Sequence, residues 1–90
     1  MAQAIVDPEE LRHFAMLLKR YNTTLADASA KMHQELERLA ASWRDQQHQK
    51  FSAEFGQQIA SLRKLLDSGE NHVSYLMKKA ELIEQYQDHR

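Results

Sequence analysis

The chain has 90 residues, with 12 Lys and Arg against 13 Asp and Glu, no cysteine, two glycines and one proline. This length allows one small domain at most, and the lack of cysteine excludes disulfides, thiolate metal sites and a thiol nucleophile. Glycine and proline are too scarce for the turns of an all-β fold. The balanced charge offers no basic surface for phosphate groups, so we expect neither nucleic acid nor an anionic membrane as a partner.

The N-terminal segment from Met1 to Asp7 carries neither a charged leader nor a long apolar run. It is therefore unlike a secretory signal peptide, and no stretch of the chain approaches the ~20 apolar residues that span a bilayer. We expect a cytoplasmic protein without a membrane span. If the protein is exported, it would have to use a leaderless route.

A first helix is predicted over about residues 8–41. Asp7 suits the N-cap, Pro8 suits the first helical position, and Glu9 and Glu10 favour the positive end of the helix dipole. Apolar side chains then recur every three or four residues, with one slip of phase near Ala28, as in a long amphipathic helix. This first apolar seam comprises Leu11, Phe14, Leu18, Tyr21, Leu25, Met32, Leu36 and Leu39.

A second helix is predicted over about residues 46–86, with the same periodicity. Its apolar seam comprises Phe51, Phe55, Ile59, Leu62, Leu66, Val73, Leu76 and Ile83. The segment 67–71 has the composition of a helix breaker, but the apolar phase runs through it with Gly69 on the seam. This favours one helix that is weakened or bent there. A break at Gly69, which would give three helices, is the alternative.

The segment Ser42-Trp43-Arg44-Asp45 separates the two periodic stretches and holds the only tryptophan. Ser42 with Asp45 three residues later fits a capping box, and Asp45 itself is an equally good N-cap for the second helix. Helices joined by so short a turn, here about residues 42–45, lie antiparallel. We therefore predict an all-α helical hairpin that forms a single domain over residues 1–90.

The apolar surface of this hairpin is wider than one partner helix covers, because residues beside the seams, such as Leu17 and Leu65, are also apolar. A long apolar surface left in water marks a contact with a partner. Two such hairpins packed face to face form a four-helix bundle with coiled-coil packing. We predict a dimer, either with itself or with a sister chain, whose interface is formed by the residues of the two seams.

A cysteine-free hairpin of this length with a tryptophan in its turn resembles the WXG family, the small early-secretory-antigen-like proteins of type VII secretion. The likeness covers nearly the whole chain, although Trp43-Arg44-Asp45 stands where the family has Trp-x-Gly. It implies a dimer with a sister chain or with itself, leaderless export, and a secretion ATPase as a further partner. It also implies that Trp43 is presented to that ATPase. The alternative is that Trp43 packs at the end of the bundle and fixes the turn.

Exported members of that family commonly carry Tyr-x-x-x-Asp/Glu after the second helix. In this chain Lys79 stands four residues after Tyr75, and Arg90 stands four residues after Tyr86. Two functions therefore remain compatible with the sequence. The first is an exported interaction protein whose partner carries the signal, and the second is a cytoplasmic coiled-coil adaptor or structural protein that is not exported.

Catalytic chemistry has weak support in the sequence. Glu10 and His13 have the Glu-x-x-His spacing of di-metal sites in helical bundles, but the apolar seams leave no converging carboxylates to complete such a site. Neither a nucleophile elbow nor a glycine-rich phosphate loop is present. We expect no enzymatic activity, no metal and no cofactor.

Overall fold

The computed structural model describes residues 6–88, apart from the side chain of Asp88. Within that range the chain forms two α-helices, α1 (Pro8–Leu39) and α2 (Gln46–Asp88), and no strand. The helices lie side by side in opposite directions, so the predicted helical hairpin is confirmed. Residues 1–5, from the segment compared with signal peptides, and Arg90, from the second tyrosine pattern, lie outside the described residues.

The start of α1 is fixed by Asp7. Its side-chain Oδ1 accepts a hydrogen bond from the backbone N–H of Glu9 at 2.9 Å, and its carbonyl accepts from Glu10 and Leu11. These bonds satisfy donors that a helix N-terminus otherwise leaves unpaired, while Pro8 needs no partner there. The predicted cap is therefore confirmed.

The turn between the helices assigns different roles to Ser42 and Asp45. The Ser42 hydroxyl donates to the carbonyl of Leu39 at 3.3 Å, which places Ser42 at the end of α1. Asp45 Oδ1 accepts from the backbone N–H of His48 at 3.1 Å, which makes Asp45 the N-cap of α2. No residue from 6 to 88 has a positive φ. The turn therefore does not require the conformational freedom of glycine.

Helix α2 runs through Gly69 without interruption, so the three-helix alternative is not adopted. The glycine is buried against α1, where a Cβ built on it would lie 2.6 Å from Asn22 Nδ2. Gly69 thus serves packing between the helices rather than a turn. Asn22 Nδ2 is itself buried and finds no hydrogen-bond partner among residues 6–88.

The contact between the helices uses only part of the predicted apolar seam of α1. Its buried and half-buried positions on α1 are Leu11, Ala15, Leu18, Asn22, Leu25, Ser29, Leu36 and Ala40. The alternation of four- and three-residue steps runs to Ser29 and is then interrupted once before Ala40. Phe14 and Tyr21, which were placed in this seam, are 56% and 57% exposed. The inner positions beside them are held by Ala15 and Asn22, because smaller side chains let the helices approach closely.

The open end of the hairpin is closed by an ion pair. The Arg12 guanidinium donates to both carboxylate oxygens of Glu84, with Nη1 to Oε2 at 2.7 Å. The hydrogen bond from Arg12 holds the pKa of the Glu84 carboxyl below its ordinary value, and the same bond raises the pKa of Arg12. A bidentate pair between residues so distant in sequence fixes how the helix ends meet.

The hairpin is long and thin, measuring 68 × 21 × 15 Å with a radius of gyration of 20.2 Å. A compact domain of this length has a radius of gyration of about 12 Å. Ala15 and Ala80 are fully buried, whereas no large side chain within residues 6–88 is. Two helices alone therefore give this chain almost no core.

Candidate partner-binding surface

Twelve large hydrophobic side chains of the hairpin are exposed, and eight of them share a position relative to the seam. Each of the eight directly precedes a buried or half-buried seam residue in the sequence. We call this set the apolar face: Phe14, Leu17, Tyr21, Leu39, Phe51, Leu65, Tyr75 and Leu82. Because so many members share one relation to the seam, they cannot be treated as unrelated exposed residues.

The apolar face occupies one flank of the hairpin. Side chains that directly follow seam residues, such as Thr23 on α1 and Asp67 on α2, line one common groove between the helices. Successive helical residues are rotated by about 100°, so a residue that precedes a seam position turns to the other flank. Since the following residues of both helices share one flank, the preceding residues of both helices share the opposite one.

The grooved flank is polar. It carries cations at Lys19 and Arg63 and carboxylates at Asp67 and Glu70. Of the large exposed hydrophobic residues, Met16 and Met77 directly follow seam residues and so belong to this side. In cross-section the hairpin therefore carries most of its large exposed hydrophobic side chains on one flank and a polar groove on the other, with the seam between them.

The predicted interface residues divide into two groups. One group is half-buried between α1 and α2: Leu11, Leu18, Leu25, Leu36, Phe55, Ile59, Leu62, Leu66, Val73, Leu76 and Ile83. The other group is exposed: Phe14, Tyr21, Met32, Leu39 and Phe51. The structure thus brings most of the α2 set together with half of the α1 set inside the hairpin, and four of the exposed five belong to the apolar face.

Tyr75 and Leu82 were not among the predicted interface residues. Both are exposed, at 61% and 55%, and both belong to the apolar face. The signal that identifies them is the repeat of apolar residues directly before Leu66, Leu76 and Ile83. That repeat is separate from the seam and visible in the sequence once the seam is known.

Trp43 packs in an aromatic cluster at the tip of the hairpin. Its ring centroid lies 5.1 Å from His48 in an edge arrangement and 5.9 Å from Phe51. Phe51 in turn stacks on Phe55 with centroids 6.0 Å apart. Aromatic pairs at these distances stabilise one another, so the half-buried Trp43 joins the turn to the first turns of α2.

Two histidines have polar neighbours on their own helix. His33 Nε2 lies 3.7 Å from a Glu37 carboxylate oxygen, and His48 Nε2 lies 3.4 Å from the Ser52 hydroxyl. Within residues 6–88 no three His, Asp or Glu side chains are grouped so that they could hold a metal ion.

Neither α1 nor α2 has the apolar length of a membrane-crossing helix.

Comparison with known proteins gives one positive result. The family WXG100, described as proteins of 100 residues with WXG, has a model that matches residues 3–88. Searches of curated proteins and of solved structures give no significant match. The family match covers both helices and the turn at Trp43, in agreement with the hairpin described above. The chain therefore belongs to the WXG100 family.

Proposed function

We propose that this protein is a non-enzymatic dimeric interaction protein of type VII secretion, whose activity is to bind a second helical hairpin. The apolar face is the observation that carries this proposal. Large hydrophobic side chains collected on one exposed flank are typical of a site of association. A second hairpin on that face makes a four-helix bundle and supplies the core that one hairpin lacks.

The dimensions of the face suit a stable dimer. One long side of a hairpin of 68 × 21 × 15 Å presents on the order of 1,000 Å², and a standard protein interface buries about 800 Å² on each partner. Its members are strongly exposed in the single hairpin, Leu65 at 56% and Tyr75 at 61%. Hydrophobic area of this kind is a large source of binding free energy once a partner removes it from water.

The dimer is tested with Leu65→Ser and a matched control, Met16→Ser. The two side chains are almost equally exposed, at 56% and 55%, but only Leu65 lies on the apolar face. We expect analytical ultracentrifugation to find a dimer for the wild type and for Met16→Ser, and a weaker dimer for Leu65→Ser. A well-folded wild-type monomer at micromolar concentration that gains no partner in its native complex would contradict the proposal.

Export is the second part of the proposal and has its own test. A strain that makes the protein should release it into the culture supernatant, while a cytoplasmic marker protein stays in the cells. Deletion of the secretion ATPase should abolish the release. Trp43→Ala should weaken binding of the dimer to that ATPase, because we propose that the tip of the hairpin is what the ATPase recognises.

A cytoplasmic adaptor of the same architecture is the second candidate, and one observation favours it. The residue four places after Tyr75 is Lys79, whose Nζ lies 6.0 Å from the centroid of the tyrosine ring. A cation over the ring takes the place of the carboxylate that exported relatives carry. Retention of the protein in cells with an active secretion system would favour the adaptor over the exported protein.

A further inference from the structure

We infer that the grooved flank binds an α-helix of a different protein, one that carries two carboxylates about two turns apart with a Lys or Arg midway between them. This inference goes beyond the proposed dimer, which uses the opposite flank and leaves the groove open. The groove between α1 and α2 has a volume of about 680 Å³, within the range of ~300–1,000 Å³ that is typical of binding sites. Its charged side chains indicate what it can bind.

Four charged side chains line the groove: Lys19, Arg63, Asp67 and Glu70. Each directly follows a seam residue, so all four turn to the same flank. Within residues 6–88 none of the four forms an ion pair, although Arg63 and Asp67 have the spacing of a helical pair. Asp67 and Glu70 stand one turn apart, where like charges repel each other. The single hairpin therefore leaves these charges uncompensated, and a partner with the opposite charges would remove the repulsion.

The charges follow a definite order along the groove. Gly69 packs directly on the amide of Asn22, so these two residues are level across the hairpin. Lys19 is three residues before Asn22 and is therefore level with His72, since the helices are antiparallel. Arg63 lies nine residues from that level, about 14 Å along the groove. The two carboxylates lie between the two cations, so the order is cation, carboxylate, carboxylate, cation.

A helix that lies along the groove can match this order. Its residues rise by about 1.5 Å each, so glutamates eight residues apart are about 12 Å apart and can meet Lys19 and Arg63. A lysine four residues from each glutamate then lies opposite the two carboxylates of the groove. The half-buried Leu66 and Val73 line the same groove and offer apolar surface to the methylene stems of these long side chains. Complementary charges of this kind fix the register of a partner and exclude partners with other charge patterns.

Two methionines extend the groove toward the open end of the hairpin. Met16 and Met77 directly follow seam residues, and they are 55% and 38% exposed. Met16 lies one turn beyond Lys19 on α1, and Met77 lies within two residues of the same level on α2. A methionine side chain adapts its shape to the group that packs on it. We therefore expect the partner helix to carry an apolar residue one turn beyond the glutamate that meets Lys19.

A second copy of this chain fits the groove poorly. The order of charges reads the same from either end, so two grooves placed together would oppose like charges in both orientations. Elsewhere on the chain, α1 carries Asp27, Lys31 and Glu35 at the spacing of the expected partner. Glu35, however, lies 3.4 Å from Arg38, which would bring a cation against one of the two cations of the groove. The occupant that the charges favour is therefore a different chain.

Synthetic peptides of about 16 residues test the charge order, because this length is enough for a partly formed helix. The first peptide carries Leu-x-x-Glu-x-x-x-Lys-x-x-x-Glu, and the second has the same spacing with every charge exchanged. Each is titrated into the native protein at one low salt concentration, since exposed charges are screened by salt. We expect the first peptide to bind at least about tenfold more tightly and to shift the NMR signals of residues that line the groove.

Arg63→Glu and Lys64→Glu make the same charge change at neighbouring positions, but of the two only Arg63 lines the groove. Arg63→Glu should weaken binding of the first peptide about tenfold, because an attractive contact becomes repulsive. A third peptide, in which the glutamate farther from leucine is replaced by lysine, should bind Arg63→Glu more tightly than it binds the wild type. Lys64→Glu should change neither affinity. Equal effects of the two variants would show that the peptide responds to net charge only and would overturn the inference.

Met16→Ser separates the groove from the dimer. It should weaken binding of the first peptide severalfold, because the leucine of the peptide loses its apolar contact, while the dimer is kept. Leu65→Ser, which changes a side chain of almost the same exposure, should weaken the dimer and leave the affinity for the peptide unchanged. If Met16→Ser had no effect on peptide binding, the methionines would not be part of the site and the predicted apolar residue of the partner would be wrong.

The outcomes of these titrations separate the inference from the proposed function. Preferential binding of the first peptide, with the reversal at Arg63, supports the inference. Failure of the first peptide to bind, or shifts confined to the apolar face, overturns it and leaves the dimer standing. Growth of the wild-type protein beyond the dimer that Arg63→Glu and Lys31→Glu both abolish would identify the occupant as a second copy and overturn the assignment to a different protein. Peptide binding by a protein that forms no dimer would refute the proposed function and support this inference.

Discussion

Gly69→Ala should behave in the opposite way to Gly56→Ala, although both glycines lie inside α2. A Cβ at Gly56 meets nothing within 4 Å. Alanine is more favourable than glycine in a helix by about 1 kcal/mol, so Gly56→Ala should raise the free energy of unfolding by roughly that amount. For a domain of this size that corresponds to a rise of about 4–8 °C in Tm.

At Gly69 the same gain in helix stability is opposed by a close contact with the other helix. The new Cβ would lie 2.6 Å from Nδ2 and 2.7 Å from Oδ1 of Asn22, so the amide has to move. Overpacking at such a site costs about 1–3 kcal/mol, which offsets or exceeds the helix gain of ~1 kcal/mol. Gly69→Ala should therefore leave Tm unchanged or lower it. Asn22→Ala removes the obstructing amide, and in that background Gly69→Ala should again stabilise by ~1 kcal/mol.

The assay is thermal unfolding followed by circular dichroism at one fixed protein concentration, because a dimer unfolds at a concentration-dependent temperature. The double-mutant cycle of Asn22 and Gly69 should give a coupling free energy of about 1–3 kcal/mol. A Gly69→Ala protein that gains as much stability as Gly56→Ala, with Asn22 intact, would show that the two helices do not meet at this level.

Three further predictions concern the seam, the turn and the ion pair. Leu62→Asp should unfold the hairpin and its dimer, because an unpaired carboxylate in the seam costs several kcal/mol, whereas Arg63→Asp next to it should keep the circular dichroism of the wild type. Asp45→Ala should lose about 1 kcal/mol with the N-cap of α2 and Asp45→Gly only a few tenths; equal losses in urea titrations would argue against the cap. Glu84→Gln should destabilise the protein at pH 7 and progressively less as the pH is lowered below the ordinary pKa of a carboxyl group. The pKa of Glu84 is lowered from 4.5 by Arg12, so its contribution is present above the unfolded pKa and lost as pH falls through the folded one. A constant difference in Tm between wild type and Glu84→Gln across that range would contradict this role.

The helices and their ends could be predicted because short-range chemistry determines them. Asp7 and Pro8 specify a helix start by side-chain and backbone geometry alone, and the long periodic stretches leave one place for a turn. The sequence could not decide between Ser42 and Asp45 as the cap of α2, since each carries a suitable oxygen. The identity of the cap depends on where α1 ends, because the Ser42 hydroxyl donates to the Leu39 carbonyl of that helix.

The sequence did not separate the α1 residues that face α2 from those that face outward, because hydrophobicity alone does not say which apolar stripe faces the other helix. Phe14 and Tyr21 continue the spacing of Leu18 and Leu25 as well as the true seam residues do. The inner positions are taken by Ala15 and Asn22, which a search for large apolar residues passes over. Close packing of the two helices favours small side chains at the inner positions, and the larger side chains beside them form part of the apolar face.

The absence of any large, fully buried side chain within residues 6–88 has a consequence for the life of the protein in a cell. A hairpin held by half-buried leucines and two alanines has little free energy with which to resist unfolding once its partner leaves. Copies that fail to pair should therefore open often and be removed by proteases. The pool that survives would consist of assembled dimers, so the shape of the fold itself would act as a quality check on assembly.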